Sequence, residues 1–322
     1  MKKLTVMLIV ILPITFLKAQ QLDKIDVMVA QYPKTFDAAE ELAALINNDF
    51  ETETDKARAV YSWIAMNVEF DTKAYFARKK KNKRLKYKDA IDRANKIRNR
   101  EIKLENRALS EHKAVAEGYT QLYKRVCELT GVYGYIIKGT AKLKTTDIGI
   151  RPKMLNHSWN VVQVGKDWFL VDVTLGAGTV DYDEKAYRHS FNEEYFFTPP
   201  EKFFLNHFPK DPGWSLTEKT MDDFANLPLF SGEYLRNDFE LFEPLNGILD
   251  LKGQDSVRFR INSPAPVSSL YYQYSFDEEP TEIQLERENE EYTFSIPFNA
   301  KRRGYLSLYY NKEPIISYKI AY

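Results

Sequence analysis

His157 and Asp172 are the two residues whose types and spacing suggest chemistry first, an imidazole and a carboxylate on consecutive β-rich runs. Between those runs lies Val164-Gly165-Lys166-Asp167, which reads as a two-residue hairpin turn with glycine first, the type II′ preference. That register sets Val164 opposite Asp167, and so Trp159 opposite Asp172, with His157 two residues away on the same face. Such diagonal neighbours sit roughly 7–8 Å apart at Cα, within reach of an imidazole and a carboxylate that lean together. A slip of one residue would put them on opposite faces. An aspartate that orients an imidazole prepares it to exchange protons with a nucleophile or a water. Two plainer readings stay open at this point: a histidine satisfied within its sheet, and an aspartate that ends a strand and caps a turn.

The pair stands in a wider pattern. Lys113-Ala114-Val115-Ala116-Glu117-Gly118-Tyr119 opens an amphipathic helix, whose apolar residues Tyr119, Leu122, Tyr123 and Val126 recur at helical spacing and whose stop is Gly131. Asn156-His157-Ser158-Trp159-Asn160 and Trp168 to Gly178 carry the histidine and the aspartate. Asp55 to Ile64 with Phe70-Asp71 precede them, and Tyr195 to Pro200 with His207-Phe208-Pro209 follow. Taken in this order, the blocks resemble the transglutaminase-like group of papain-type folds, in the branch related to the kyphoscoliosis peptidase, over roughly residues 36 to 216. The resemblance implies a cysteine nucleophile where this chain has Ala116, with His157 and Asp172 as its partners. It also implies acyl transfer through a thioester, to water in a peptidase or to an amine in a transamidase.

A thiol at the first turn of a helix has its thiolate favoured by the helix dipole and a neighbouring imidazolium. Alanine offers no lone pair and no leaving group, so Ala116 cannot form the acyl intermediate. Cys127 lies about 16 Å farther along the same helix, beyond reach of the site, and reads as a small apolar helix residue. Ser110, on an expected loop, and Thr120, one turn along the helix, are the nearest hydroxyls. His157 and Asp172 thus read as a vestigial dyad in a pseudoenzyme that binds a protein or peptide. Two alternatives stand beside it: a peptidase, transamidase or hydrolase using another nucleophile or a His157-activated water, and a structural or adhesive module carried by the C-terminal part.

The elements that must position these residues give an α+β chain: helices, then an antiparallel sheet, then a small all-β sandwich, immunoglobulin-like. Asp37 and Glu40 have capping-box spacing and predict a first helix to about Asn48. A second is expected from about Thr54 to Asn67. Residues 78–103 are rich in Lys and Arg around Ala90, Ile91, Ala94 and Ile97, as in a solvated helical insertion. Strands are expected at Tyr133 to Lys138, His157 to Val164 and Trp168 to Val173. After about Tyr234, alternating runs separated by Pro, Gly, Asn and acidic clusters read as the short strands of the sandwich.

Met1-Lys2-Lys3, then an apolar run from Leu4 to Leu17 and Lys18-Ala19-Gln20, read as a secretory signal cut after Ala19. The run is too short to span a bilayer, so no stable membrane insertion is expected. The domain boundaries follow: residues 1–19 a signal peptide, 20–233 the transglutaminase-like domain, 234–322 the sandwich, and the mature protein periplasmic or extracellular. The formal net charge of zero gives no pull toward nucleic acid. A single cysteine excludes an internal disulfide, and His112, His157, His189 and His207 lack the pairing of a closed zinc site, so neither metal nor cofactor is expected.

Overall fold

The computed structural model describes residues 12–77, 86–250, 252–298 and 303–321. Residues 1–11 of the expected signal segment and 78–85 of the expected insertion lie outside them. Helix α1 (Leu12–Val29) packs against α3 (Glu53–Asn67), and α2 (Ala39–Asp49) lies between them in sequence. A two-residue strand β1 (Glu69–Phe70) and the short helix α4 (Thr72–Phe76) follow. The long helix α5 (Ala90–Ser110) leads into β2 (Lys113–Ala114), which pairs in parallel with β1, and then into α6 (Ala116–Leu129). Among the described residues no helix is long and apolar enough to cross a membrane.

The first-helix cap departs from expectation. α2 starts at Ala39 with Ala38 as an uncapped N-terminal residue, and Glu41 rather than Glu40 accepts from the Asp37 N–H at 3.2 Å. Burial of Phe36 against Trp63, with ring centroids 5.3 Å apart, fixes how the chain enters and overrides the local box. α3 is capped as its sequence suits, Thr52 accepting from the Asp55 N–H at 3.1 Å. α5 runs to Ser110, so Ser110 ends a helix instead of lying on a loop, its hydroxyl donating to the Asn106 carbonyl at 2.7 Å. Its first turns are exposed, with Ile91 at 74%, while Glu105, Ala108 and Leu109 are buried against α6.

α6 buries Tyr119, Leu122, Tyr123 and Val126, the face its periodicity marked. It ends where Gly131 takes φ +84°, and the Val132 N–H donates to the Cys127 carbonyl at 2.8 Å. Behind it lies a five-stranded antiparallel sheet in the order β8-β5-β4-β3-β9. The strands are β3 (Tyr133–Ala141), β4 (His157–Val164), β5 (Asp167–Val171), β8 (Phe196–Thr198) and β9 (His207–Pro209). Between β5 and β8 come the short helix α7 (Val173–Ala177) and a hairpin of β6 (Gly178–Asp181) and β7 (Ala186–His189). Helices α3 and α6 packed on an antiparallel sheet make this an α+β, papain-type core.

Two sheets form the C-terminal sandwich. One joins strands at 240–243, 256–262, 291–297 and 286–288, the other strands at 229–230, 313–321, 304–310, 271–274 and 281–282, with 248–250 paired in parallel along 313–321. Their facing sides meet in one core, Phe259 standing edge-on to Tyr318 with centroids 5.5 Å apart. Leu229 and Phe230 pair with Ser317 and Ile316, so the chain joins the sandwich sheet just before the helix at Gly232–Arg236.

Candidate functional site

The turn at Gly165-Lys166 sets the register of the site. Val164 pairs with Asp167 and Asn160 with Val171, and of the two turn residues Gly165 alone takes positive φ, as type II′ requires. The ladder stops one pair short of Trp159 and Asp172, because Asp172 leaves the strand to cap α7. Its Oδ1 accepts from the N–H of Thr174 at 2.9 Å and of Leu175 at 3.1 Å. Its Oδ2 lies 2.6 Å from His157 Nε2. The turn-capping aspartate and the imidazole-orienting aspartate are therefore one residue, using one oxygen for each task.

A third member was not foreseen. His207, on the edge strand β9, places its Nε2 2.8 Å from the same Asp172 Oδ2. Phe203 stacks on its ring with centroids 3.8 Å apart. Asp172 is fully buried, His207 1% exposed and His157 8%. Burial raises the Asp172 carboxyl, but the two imidazoles outweigh it and hold the group below the usual carboxylate range. Burial pulls His207 below the ordinary histidine value, against Asp172 and the Phe203 carbonyl. An ionised Asp172 then requires both rings to donate from Nε2. His207 Nδ1 faces the Phe203 carbonyl at 3.2 Å, a second acceptor within hydrogen-bond reach of the ring. His157 Nδ1 is the basic nitrogen of the dyad.

The three donor atoms lie within 4.8 Å of one another, a set that could hold a cation, which the scattered histidines of the sequence did not suggest. Bonds of about 2.0 Å from a metal to all three would hold nitrogen and oxygen about 3 Å or more apart. The observed 2.6 and 2.8 Å are hydrogen-bond lengths, and hydrogen bonding accounts for the cluster.

His157 and Ala116 both line a cavity of about 810 Å³. Its walls come from both parts of the chain: Phe70, Thr174 and Tyr187 from the core, and Phe230, Tyr309 and Glu313 among those from the sandwich side. The other hydroxyls weighed as nucleophiles are elsewhere. Thr120 Oγ1 donates back to the Ala116 carbonyl at 3.0 Å, and neither it nor Ser110 lines the cavity. Cys127 is 1% exposed in the core, where burial pushes its thiol far up and leaves it inert.

Fold and site together describe a papain-type α+β core with alanine at the head of α6 and a His157–Asp172 pair on its sheet. The sequences of known proteins agree with that class. The human kyphoscoliosis peptidase is 26% identical over 255 residues, 78% of this chain and 34% of the human protein. The mouse protein of that name is 26% identical over 231 residues, 71% of this chain and 31% of its own length. A solved transglutaminase structure aligns over 59% of this chain and 40% of its own with a TM-score of 0.28 and 15% identity. No protein-family profile matches. The chain is a member of the transglutaminase-like superfamily, and it spans about a third of the length of the curated relatives it matches.

Proposed function

We propose that the chain is an exported transglutaminase-like pseudoenzyme that binds a protein or peptide segment in the cleft between core and sandwich. The observation that carries this reading is that Ala116 and His157 border one open cavity of about 810 Å³. Secretion rests on the N-terminal charged and apolar pattern, residues 1–19. The sandwich enters as one wall of the cleft, which favours joint recognition over an adhesive module acting alone. Purified protein is expected to show no turnover of peptide or amine substrates, and robust activity would overturn the reading.

Ala116→Cys is expected to place a thiol at a helix N-terminus beside His157. That thiol should alkylate with iodoacetamide at pH 6.5 at least about tenfold faster than an ordinary cysteine, while buried Cys127 stays unlabelled. Labelling no faster than that of a free thiol would show that the frame no longer activates a nucleophile.

A second reading is favoured by the tautomer of His157. With Nε2–H given to Asp172, Nδ1 is free to accept a proton from a water, as a hydrolase without a covalent intermediate needs. Any hydrolytic activity that is measured and then lost in His157→Ala would support it.

A further inference from the structure

We infer that the pocket left by the missing nucleophile is a carboxylate receptor, which rests on reading the cleft as a binding site and names what it binds there. Four groups converge on this. α6 opens into the cavity at Ala116, and its N-cap, Val115, carries no side chain able to satisfy the first-turn N–H groups. The helix dipole adds partial positive charge at that point. Thr174 Oγ1 is buried without a hydrogen-bond partner on a residue 5% exposed that lines the same cavity. His157 borders the same cavity. Asn206 Oδ1 is likewise buried and unpartnered on a lining residue 2% exposed, an acceptor for the N–H of whatever carries the carboxylate.

The charges of the cavity are compatible with an anion at this end. Glu313 and Glu233 are paired with Arg188 and Arg236, and Asp181, Asp183 and Glu184 sit on or beside the β6–β7 turn. Lys144 lines the cavity over the Tyr182 ring at 4.5 Å and has no ion pair among the described residues. A thioester-forming site needs a sulfur between helix end and imidazole. With alanine there, the same groups border the open cavity and suit the two oxygens of a carboxylate, supplied by a peptide C-terminus or an acidic side chain.

The test titrates the full chain with acetate, Ac-Ala-Ala-Ala as free acid, the same peptide as C-terminal amide, and Ac-Ala-Glu-Ala amide. Binding is read from the backbone amide shifts of Ala116 and Glu117. The acid peptide is expected to bind at least about tenfold more tightly than its amide, the worth of one charge-assisted hydrogen bond. Preferential binding of the Glu peptide would assign the carboxylate to a side chain. Ala116→Pro removes one donor without unfolding the helix, since proline suits the first helical position and Val115 is extended at φ −95°, ψ 171°. It should weaken the acid peptide about tenfold, and Thr174→Val should weaken it several-fold. Equal binding of acid and amide would overturn the receptor and leave the peptide cleft standing. No shift at Ala116 or Glu117 with any probe would overturn the receptor and count against the cleft as well.

Discussion

Asp172→Ala is expected to cost about 3–5 kcal/mol of stability in urea unfolding, well above the cost of removing either histidine it holds. Asp172 is the one group to which four donors converge: two backbone N–H groups of α7 at Oδ1 and two imidazole N–H groups at Oδ2. Alanine leaves all four without the acceptor they share, at a position that is itself fully buried. His157→Ala removes a ring that already borders the cavity, so it frees one carboxylate lone pair and costs about 1 kcal/mol. A measured cost for Asp172→Ala below about 1 kcal/mol would mean that the cluster is not held by this carboxylate.

The same cluster fixes the sign of the pH dependence. The folded pKa of Asp172 is depressed below its ordinary 3.8, so its contribution is present above that value and is lost as pH falls through the lower folded one. The folded pKa of His207 is depressed below 6.5, so native protein resists a proton that the unfolded chain accepts, and stability declines as pH drops below 6.5. Both act in one direction. Unfolding midpoints should fall from neutral pH toward pH 3, and His207→Phe should remove the upper part of that fall, between about pH 6.5 and 5. An unchanged slope in that window would show that His207 is not a neutral buried ring.

These two residues also show where sequence reasoning reached and where it stopped. A turn dipeptide carried the His157–Asp172 pairing, because it is local and a hairpin transmits register one residue at a time. The turn-capping and imidazole-orienting readings of Asp172 were not rivals, since a carboxylate has an oxygen for each. His207 was out of reach because it comes from the opposite sheet edge, on a three-residue strand too short to show alternation. The one local signal was Phe203 four residues before it, which stacks on the ring and offers its carbonyl. The Asp37 box failed for the opposite reason: a satisfactory local pattern lost to burial of Phe36.

Asp26→Ala is expected to destabilise the core by about 3–5 kcal/mol, because it strands a buried cation. Arg58 is 1% exposed, with its guanidinium over the rings of Tyr61, Phe191 and Phe196 at 5.6, 5.7 and 5.2 Å. Its Nε and Nη2 donate to Asp26 at 2.9 and 2.6 Å, and Nη2 also reaches Glu193 at 3.0 Å. Without Asp26 the only remaining carboxylate is Glu193, half exposed and bound through one nitrogen. Arg58→Met keeps the volume and removes the charge, leaving Asp26 14% exposed and still bonded to Ser62, so its cost should be smaller, about 1–2 kcal/mol. The double substitution should therefore be more stable than Asp26→Ala alone, a reversal that simple loss of contacts would not give. This pair also bears on the site. It ties α1 to α3 and to the segment whose Tyr195 carbonyl accepts from the Asp172 N–H at 2.9 Å. Asp26 lies beyond the expected cut after Ala19, so residues downstream of that cut serve as part of the core that packs behind the dyad. Deleting residues 20–29 should reproduce the Asp26→Ala loss in urea unfolding and weaken peptide binding with it, and a deletion that leaves stability unchanged would sever α1 from the site.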